Sequence, residues 1–372
     1  MKVCILSHCF YPSKKRGGPT VSITNMVKNL ADKCELSVIT TIFDKGADKP
    51  YDNVVPGKNK LFDSDVYYLT QNTYKAFYLC LSEIKPDVIY VSSLFSHQYS
   101  VAALKYARKH KNVRLVIAPR GELMPLALKR KFAVKFLFIC AAKIMMSDTT
   151  EFHVTSQEEE QAVKKYFKKN RLYNIKNLPS KVSAGNEILP KSPGCLKVVM
   201  IGRIHPIKNI DYAIKLMSDI KGDVTLDIYG PEEDERYVEQ CKQLSRELPH
   251  NVNVCFKGIV NHEEVGNVLK HYHVFLSPTK SENYGHSIIE SLLCSVPVII
   301  SSNTPWHNLE NNCAGYDFDL SQKELFVSSL QKFVDMNADD YYRWSRGAHS
   351  YIKTQLGVED TVEKYIQMLI NK

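Results

Sequence analysis

The chain has 372 residues, 44% of them hydrophobic and 24% charged, and carries a net charge of +9. That length exceeds what one hydrophobic core usually spans, and the composition is that of an ordinary globular protein. Two domains are therefore expected, and a disordered or fibrous chain is excluded. No apolar run approaches the roughly 18–20 residues of a membrane span.

The first element is the short apolar run VCILS (3–7), followed by the loop HCFYPSKKRGGPT (8–20) and the helix-like VSITNMVKNLADK. The opening run is too short for a signal peptide, and no small-residue cleavage site follows it. Strand-like ELSVIT (35–40), DVIYVSS (87–93) and RLVIAP (114–119) come next, with helix-like HQYSVAALKYARKH between the last two. A long helix-like stretch then covers about 125–146, and FHVTS (152–156) closes the half. Strands alternating with helices predict a parallel sheet covered on both faces.

Residues 176–195, KNLPSKVSAGNEILPKSPGC, hold three prolines and two glycines and show no apolar period. They read as an inter-domain segment. The alternation then restarts with CLKVVMIG, VTLDIYG, VNVCFKG, HVFLSP and VPVIIS, and the chain ends on the amphipathic GVEDTVEKYIQMLINK. The expected organisation is an N-terminal domain over 1–178, a linker over 179–195, a C-terminal domain over 196–355 and a terminal helix over 356–372 packing back toward the N-terminal domain. Two Rossmann-like domains of this kind bind ligands outside the carboxyl ends of their strands, so a cleft between them is the expected site.

Ten cysteines are scattered without a C-x-x-C pair, and Cys4, Cys34 and Cys255 fall in strand-like runs. This predicts reduced, buried thiols of a cytoplasmic protein, not a disulfide framework or a zinc site. The charge is uneven. Residues 1–180 hold 29 Lys/Arg against 15 Asp/Glu, and residues 181–372 hold 20 against 25. A basic first half points to an anionic partner there, with a well-solvated lysine surface as the plainer reading.

Three stretches combine residues that can carry chemistry. In the first, Gly17 and Gly18 lie where a strand passes into a helix. Paired glycines there let backbone N–H groups approach an anion, although a tight turn alone would also need them. No full G-x-G-x-x-G follows, which argues against a dinucleotide fingerprint. In the second, IGRIHPIKNIDYAIKLM (201–217), Gly202 marks the turn, and Arg203 and Lys208 stand five apart at a helix entry. Two cations beside free helix N–H groups suit a diphosphate; pairing with surface carboxylates is the alternative. In the third, SENYGHSIIE (281–290), Glu282 precedes a helix and Glu290 lies inside it, with Gly285 between. The pair fits clamps on one extended ligand. An acid/base pair of the glycosidase kind stays open, and a metal site is weakly supported because His286 is the lone nearby imidazole.

Together these stretches resemble a glycosyltransferase of the GT-B fold, in the large retaining family 4 (glycosyl transferases group 1). The resemblance is carried by the G-R-x-x-x-x-K stretch of Gly202, Arg203 and Lys208, the E-x7-E pair Glu282 and Glu290, and the CSVPVII that follows. The fuller stretch PTKSENYGHSIIESLLCSVPVIISSNTPWHNL is similar to a bacterial subgroup that makes surface polysaccharides. The resemblance implies two Rossmann-like β/α/β domains facing across a deep cleft. It implies retaining transfer of a hexose from a nucleotide-diphosphate sugar, UDP favoured over GDP, without a metal or other cofactor. The acceptor would be a saccharide of O-antigen, capsule or exopolysaccharide synthesis.

By that resemblance Arg203 and Lys208 would bind the donor diphosphate. Glu282 would hold sugar hydroxyls with help from the backbone of Asn283, Tyr284, Gly285, His286 and Ser287. Glu290 would take the ribose, and Ile259 and Val260 would meet the base. Gly17 and Gly18 would let the first loop approach the donor phosphate and acceptor, and front-face attack would use the donor phosphate to help deprotonate the acceptor. The sequence departs from the family in three places. Arg120, in APRGELM (118–124), stands where many members have a His; it is expected to touch the donor sugar or phosphate but cannot be a general base. Glu122 and His8 are further candidates for that role. Asn283 and Ser295 occupy positions where glycine is common in the family.

DSD (63–65) and DFD (317–319) match the D-x-D of metal-dependent transferases of another fold and read as acidic residues of loops or turns. The stretch LALKRKFAVKFLFICAAKIMM (126–146) combines Lys129, Arg130, Lys131, Lys135 and Lys143 with Phe132, Phe136, Leu137, Phe138, Ile144 and Met145. A basic, aromatic amphipathic helix can lie on an anionic membrane; a buried helix with a solvated lysine face is the other reading. The expectation is a peripheral contact with the inner face of the cell membrane and a polyprenyl-diphosphate-linked acceptor. Competing readings are another GT-B enzyme, such as a nucleotide-sugar epimerase or a phosphorylase, and a nucleic-acid-binding protein. No helix-turn-helix, RNP-type or zinc signature supports the last.

Overall fold

The computed structural model of the protein describes residues 1–13, 17–129, 131–147, 149–180 and 188–370. Residues 14–16 of the Gly-Gly loop, Arg130 of the basic stretch, 181–187 of the expected linker and the last two residues lie outside the described residues. The chain forms two compact units, Met1–Leu178 with Val358–Lys372, and Pro179–Gly357.

The first unit is built on an eight-stranded sheet. Its strands are β1 (Lys2–Ser7), β2 (Glu35–Thr41), β3 (Gly57–Leu61), β4 (Ser64–Leu69), β5 (Val88–Ser92), β6 (Arg114–Ala118), β7 (Thr150–Val154) and β8 (Leu172–Asn174), in the order β3-β4-β2-β1-β5-β6-β7-β8. The helices are α1 (Gly18–Leu30), α2 (Tyr74–Ile84), α3 (His97–Lys109), α4 (Pro125–Lys129), α5 (Phe132–Met145) and α6 (Gln157–Tyr166). Alternate residues of one strand serve opposite cores. Cys4 and Leu6 pack with Ile89, Val91 and Ile117 on one face. Val3 and Ile5 pack with Val38, Tyr90 and Val116 on the other. All four β1 side chains are fully buried, each stabilising the fold by about 1.5–3 kcal/mol for the larger ones. A sheet covered on both faces reads in sequence as continuous apolar runs, which is why these strands are legible.

Two departures from expectation are local. β3 and β4 pair antiparallel through a two-residue turn at Phe62 and Asp63, whose φ values are 51° and 59°, the left-handed pair that a twisted hairpin requires. The helix expected over about 125–146 is instead α4 and α5. The chain between them turns through Lys131 at φ 59°. Of α5, only Ile139 and Ala142 are buried.

The second unit holds a six-stranded, wholly parallel sheet of β9 (Cys195–Ile201), β10 (Asp223–Tyr229), β11 (Val252–Gly258), β12 (Val274–Ser277), β13 (Val298–Ser301) and β14 (Gly315–Phe318). Its order is β11-β10-β9-β12-β13-β14. The helices are α7 (Ile210–Met217), α8 (Glu235–Arg246), α9 (Val265–Leu269), α10 (His286–Leu293), α11 (Lys323–Asp335) and α12 (Ala338–Leu356). Leu196, Val198 and Met200 of β9 pack with Ile210, Ile214 and Met217 of α7 in one core. Ser295 takes the left-handed φ of 61°, the conformation that favours glycine, and its carbonyl accepts from Ser345 Oγ at 2.5 Å. The last helix, α13 (Val358–Ile370), belongs to the first unit. Tyr365, Met368 and Leu369 enter its core, and Arg114 Nη2 donates to the Met368 carbonyl at 2.8 Å.

Both D-x-D matches have local structural roles. Asp63 sits in the β3–β4 turn, and Asp65, on β4 and not in a loop, pairs with Lys58 and Lys60 at 2.9 and 3.3 Å. Asp317 accepts the Leu309 amide at 3.2 Å, and Asp319 accepts the Ser321 amide at 2.9 Å.

Candidate functional site

In the second unit β9 and β12 are neighbours, with β10 and β11 to one side and β13 and β14 to the other. The winding reverses between them, so the carboxyl ends of β9 and β12 flank the crevice where doubly wound sheets bind ligands. The loops that leave these two ends are the two motif-bearing stretches.

The loop after β9 is held by backbone. The Gly202 amide donates to the Tyr229 carbonyl at 2.9 Å, and the Ile204 amide to that of Pro231 at 2.9 Å. Gly230, at φ 150°, passes so close that a Cβ there would lie 1.8 Å from the Gly202 carbonyl oxygen. A 3-10 turn over Pro206–Lys208 follows, with His205 Nδ1 accepting from the Ile207 amide at 3.2 Å. Asn209 at φ 57° then admits the chain to α7. The Ile207 carbonyl accepts twice from the other loop, from Thr279 Oγ1 at 3.0 Å and the Lys280 amide at 2.8 Å. The Glu282 amide is tied to the Asn303 carbonyl at 3.0 Å.

This stitching brings Lys208 Nζ to 2.5 Å from Glu282 Oε2, each side chain about one-fifth exposed (19% and 21%). Arg203 turns elsewhere, donating from Nη1 to Glu233 Oε2 at 2.8 Å. Both cations are thus paired with carboxylates here, Lys208 with its expected neighbour in the site and Arg203 with a residue that sequence reading did not single out.

After Glu282 the chain reaches α10 through Gly285, whose φ of 74° suits glycine. A Cβ there would lie 2.8 Å from Ile288 Cδ1. α10 begins at His286, and the amides of a helix's first turn have no intrahelical acceptor, so those of His286 and Ser287 head the crevice. Tyr284 is buried under Trp306, whose indole N–H donates to the Tyr284 carbonyl at 2.7 Å, and its ring meets that of His286 edge-on at 4.8 Å. Asn283 lies between these anchors. Glu290 is 3% exposed. Its Oε1 accepts from Ser180 Oγ at 2.8 Å, and His262 Nδ1 stands 3.4 Å away. Burial pushes its carboxyl up to about 8, against the pull of the Ser180 hydrogen bond. His262 Nε2 also lies 3.2 Å from Ser180 Oγ. Sequence reading missed both partners. Ser180 carries no signal in sequence, but His262 is two residues beyond Val260, in the loop after β11 expected to meet the base. In that loop Ile259 is half exposed and Val260 half buried.

The first unit holds the remaining candidates, Gly17, Gly18, Arg120, Glu122 and His8. Gly17, at φ 53°, caps α1, and Gly18 is its first residue; the Thr20 and Val21 amides return to the Gly17 carbonyl. Arg120, at φ 55°, turns its guanidinium inward. Nη1 donates to Asn177 Oδ1 and Nη2 to the Tyr90 hydroxyl at 2.9 Å. Tyr90 meets His153 Nδ1 at 2.7 Å, and His153 Nε2 meets the Ile175 carbonyl at 2.9 Å. Burial and the Arg120 charge hold His153 down at about 3 and therefore neutral. Arg120 is the head of a buried hydrogen-bonded chain. Glu122 and His8 share a different cluster with Ser93 and Ser96.

Residues 186–350 match the family described as Glycosyl transferases group 1. The chain is 30% identical over 120 residues to the GtfA subunit of a UDP-N-acetylglucosamine–peptide N-acetylglucosaminyltransferase of Streptococcus agalactiae, which covers 31% of this chain but 22% of that protein. It is 24% identical over 305 residues to an uncharacterized glycosyltransferase of Methanocaldococcus jannaschii, covering 80% and 78% of the two chains. Among solved structures it resembles a sucrose-phosphate synthase of Thermosynechococcus elongatus, at 14% identity and a TM-score of 0.72 over 99% of this chain and 98% of that one. It also resembles WaaG, a glycosyltransferase of lipopolysaccharide biosynthesis, at 13% identity and a TM-score of 0.69 over the whole of both chains. A third neighbour is Anabaena HepE solved with UDP and glucose, at 14% identity and a TM-score of 0.71 over 99% of each. At such identities these structures speak to the fold. The second unit thus matches the Glycosyl transferases group 1 family over residues 186–350, and the chain has the GT-B fold of the glycosyltransferases it resembles.

Proposed function

We propose that the protein is a retaining, family 4 enzyme that moves a hexose from a UDP-sugar to a saccharide acceptor in surface-polysaccharide synthesis. The observation that carries the reading is the stitching of the β9 and β12 loops, which sets Lys208 against Glu282 at the switch-point crevice. In this reading Lys208, joined by Arg203, holds the diphosphate. Negative charge grows on that group as the anomeric bond breaks, and fixed cations and helix-entry amides stabilise it most in the transition state, the role a metal has in other transferases. Glu282, aided by the backbone of 283–287, holds the sugar. Glu290 takes the ribose, exchanging the Ser180 hydroxyl for those of the ligand, and Ile259 and Val260 meet the base. UDP is favoured because HepE was solved with UDP and glucose on a similar fold. The test is a thermal-shift and nucleotide-release screen of UDP-, GDP- and dTDP-sugars. Stabilisation and release with UDP-sugars are expected; no response to any donor would overturn the reading.

The acceptor in this proposal is bound by the first unit and is lipid-linked, on a polyprenyl diphosphate at the inner face of the cell membrane. α5 supports it. Phe132, Val134, Phe136, Leu137 and Ile144 are all exposed large apolar side chains, and Lys129, Lys131 and Lys143 accompany them. A basic helix that leaves its apolar side uncovered has the chemistry of an anionic membrane surface. None of the described helices is long and apolar enough to cross a membrane.

A further inference from the structure

The loops after β9 and β10 share a second ion pair beside the crevice. Arg203 Nη1 donates to Glu233 Oε2 at 2.8 Å, with the two side chains 43% and 22% exposed. Glu233 belongs to PEEDE (231–235), four carboxylates in a row just after β10. Three of the four have local tasks. Glu232 pairs with Lys242 of α8 at 3.1 Å. Asp234 caps α8, its side chain accepting the Tyr237 amide at 3.1 Å. Glu235 lies in the first turn of that helix, where negative charge is favoured. Glu233 alone of the four pairs, among the described residues, with a residue of the Gly202–Lys208 motif.

The backbone on both sides of Glu233 is fixed. Ile204, next to Arg203, donates its amide to the Pro231 carbonyl at 2.9 Å and forms an isolated parallel bridge with Glu232. On the other side, Asp234 is anchored as the helix cap. The same stitching that shapes the Arg203 loop therefore carries Glu233 to it. Glu282, the partner of Lys208, has a task of its own on the sugar in the reading above. Glu233 has none there, and a carboxylate beside a diphosphate site repels the ligand. A fixed charge that opposes the ligand points to its exchange, not to its affinity.

We propose that Glu233 is a positioning residue for Arg203: it holds the guanidinium before the donor binds, yields it to the diphosphate, and takes it back as the nucleotide leaves. The proposal rests on the diphosphate role given to Arg203 above. The Glu233 hydrogen bond uses one of the five N–H donors of the guanidinium, and a pair so open to water is weak and easily exchanged. A diphosphate carries more charge and presents paired oxygens that the planar guanidinium grips in two hydrogen bonds, so it wins Arg203 from a single carboxylate oxygen. After transfer the departing nucleotide holds the electron pair of the broken anomeric bond, and the same grip would delay its release. Glu233 then offers Arg203 a second partner, and the nucleotide is let go.

Calorimetry with UDP and stopped-flow release of UDP, both on the full chain, test this. Glu233→Gln keeps an acceptor for Arg203 and removes the charge. UDP affinity should rise about 3- to 5-fold, with dissociation slowed by the same factor and the gain shrinking at high salt. Glu233→Ala should act in the same direction, whereas loss of a residue that merely supports the loop would weaken UDP binding. In Arg203→Ala, UDP affinity should fall about 10-fold, and adding Glu233→Gln should bring no gain, because Glu233 acts through Arg203. Unchanged or weakened UDP affinity in both Glu233 variants, with Arg203→Ala impaired, overturns the role of Glu233 alone. An equal gain in the Arg203→Ala background also overturns it, as plain charge repulsion. Arg203→Ala binding UDP as the wild type does overturns the diphosphate role of Arg203 and the proposal with it, and a wild type that binds no UDP overturns the transfer reaction as well.

Discussion

Lys208 and Glu282 face each other across 2.5 Å with most of their surface out of water, so each is the other's main counter-charge in the absence of ligand. If Lys208 serves the diphosphate, the two variants must differ in sign. Lys208→Ala removes a charge-assisted hydrogen bond of about 1.5–3 kcal/mol and should weaken UDP binding roughly 10- to 100-fold. Glu282→Ala frees the lysine, so UDP affinity should hold or rise while sugar transfer collapses. Calorimetry with UDP and turnover with UDP-sugars check both, and equal UDP affinity in Lys208→Ala and wild type contradicts the assignment. Glu290 makes a separate prediction through pH. Its carboxyl stands at about 8 in the fold against an ordinary 4.5, so the native state holds a proton that the unfolded chain releases. The stability tied to that proton is complete below about pH 4.5 and is lost as pH rises to about 8, on the order of 5 kcal/mol in all. Glu290→Gln keeps a neutral group throughout. Its melting temperature should exceed that of the ligand-free wild type by a margin that grows from pH 5 to several degrees at pH 8.5. A margin that is flat or shrinking over that range contradicts the buried, protonated state.

At the scale of elements, the crevice depends on one close approach. A Cβ on Gly230, the residue after β10, would lie 1.8 Å from the Gly202 carbonyl oxygen, whereas Gly258 ends β11 at a positive φ with open space around it. Gly258→Ala should therefore cost about 1 kcal/mol and leave UDP binding intact. Gly230→Ala should cost about 3 kcal/mol or more and weaken UDP binding as well, because the loop holding Lys208 must move. Thermal melts and UDP calorimetry on the pair check this, and equal behaviour would remove Gly230 from the site's support. The contrast also marks what sequence can reveal. Runs such as VCILS and KVVMI are legible because strands buried on both faces must be apolar throughout. GKNKL and SDVYYL are not, since their hairpin turns on Phe62 and Asp63 without an Asn-Gly or Asp-Gly signal. The break at Lys131 has neither glycine nor proline at the left-handed residue, so the stretch reads as one helix. In the site, Arg203, Lys208, Glu282 and Glu290 stand out as charges beside strand-to-helix turns. Ser180, 110 residues from Glu290, can be found only once the fold brings them together.

At the scale of the whole molecule, the sequence shows a basic first half but not where its charges gather. α5 answers part of that. Ile139 and Ala142 fix its inner side, which leaves Leu137, Cys140 and Ile144 on an outer stripe at helical spacing, with Leu137 68% and Ile144 74% exposed. Two forces would hold such a helix to a membrane, and they can be separated. Each basic residue near an anionic surface contributes about 1 kcal/mol that salt screens; buried apolar side chains contribute a part that salt does not. Wild type should therefore sediment with phosphatidylglycerol vesicles at low salt and not with phosphatidylcholine vesicles. Reversing two charges, as in Lys131→Glu with Lys143→Glu, should weaken binding roughly 30-fold or more and flatten its salt dependence. Leu137→Asp with Ile144→Asp should remove the part of binding that survives in high salt. Binding that both double variants leave unchanged would take α5 out of the membrane contact and return its exposed stripe to the question of what else covers it.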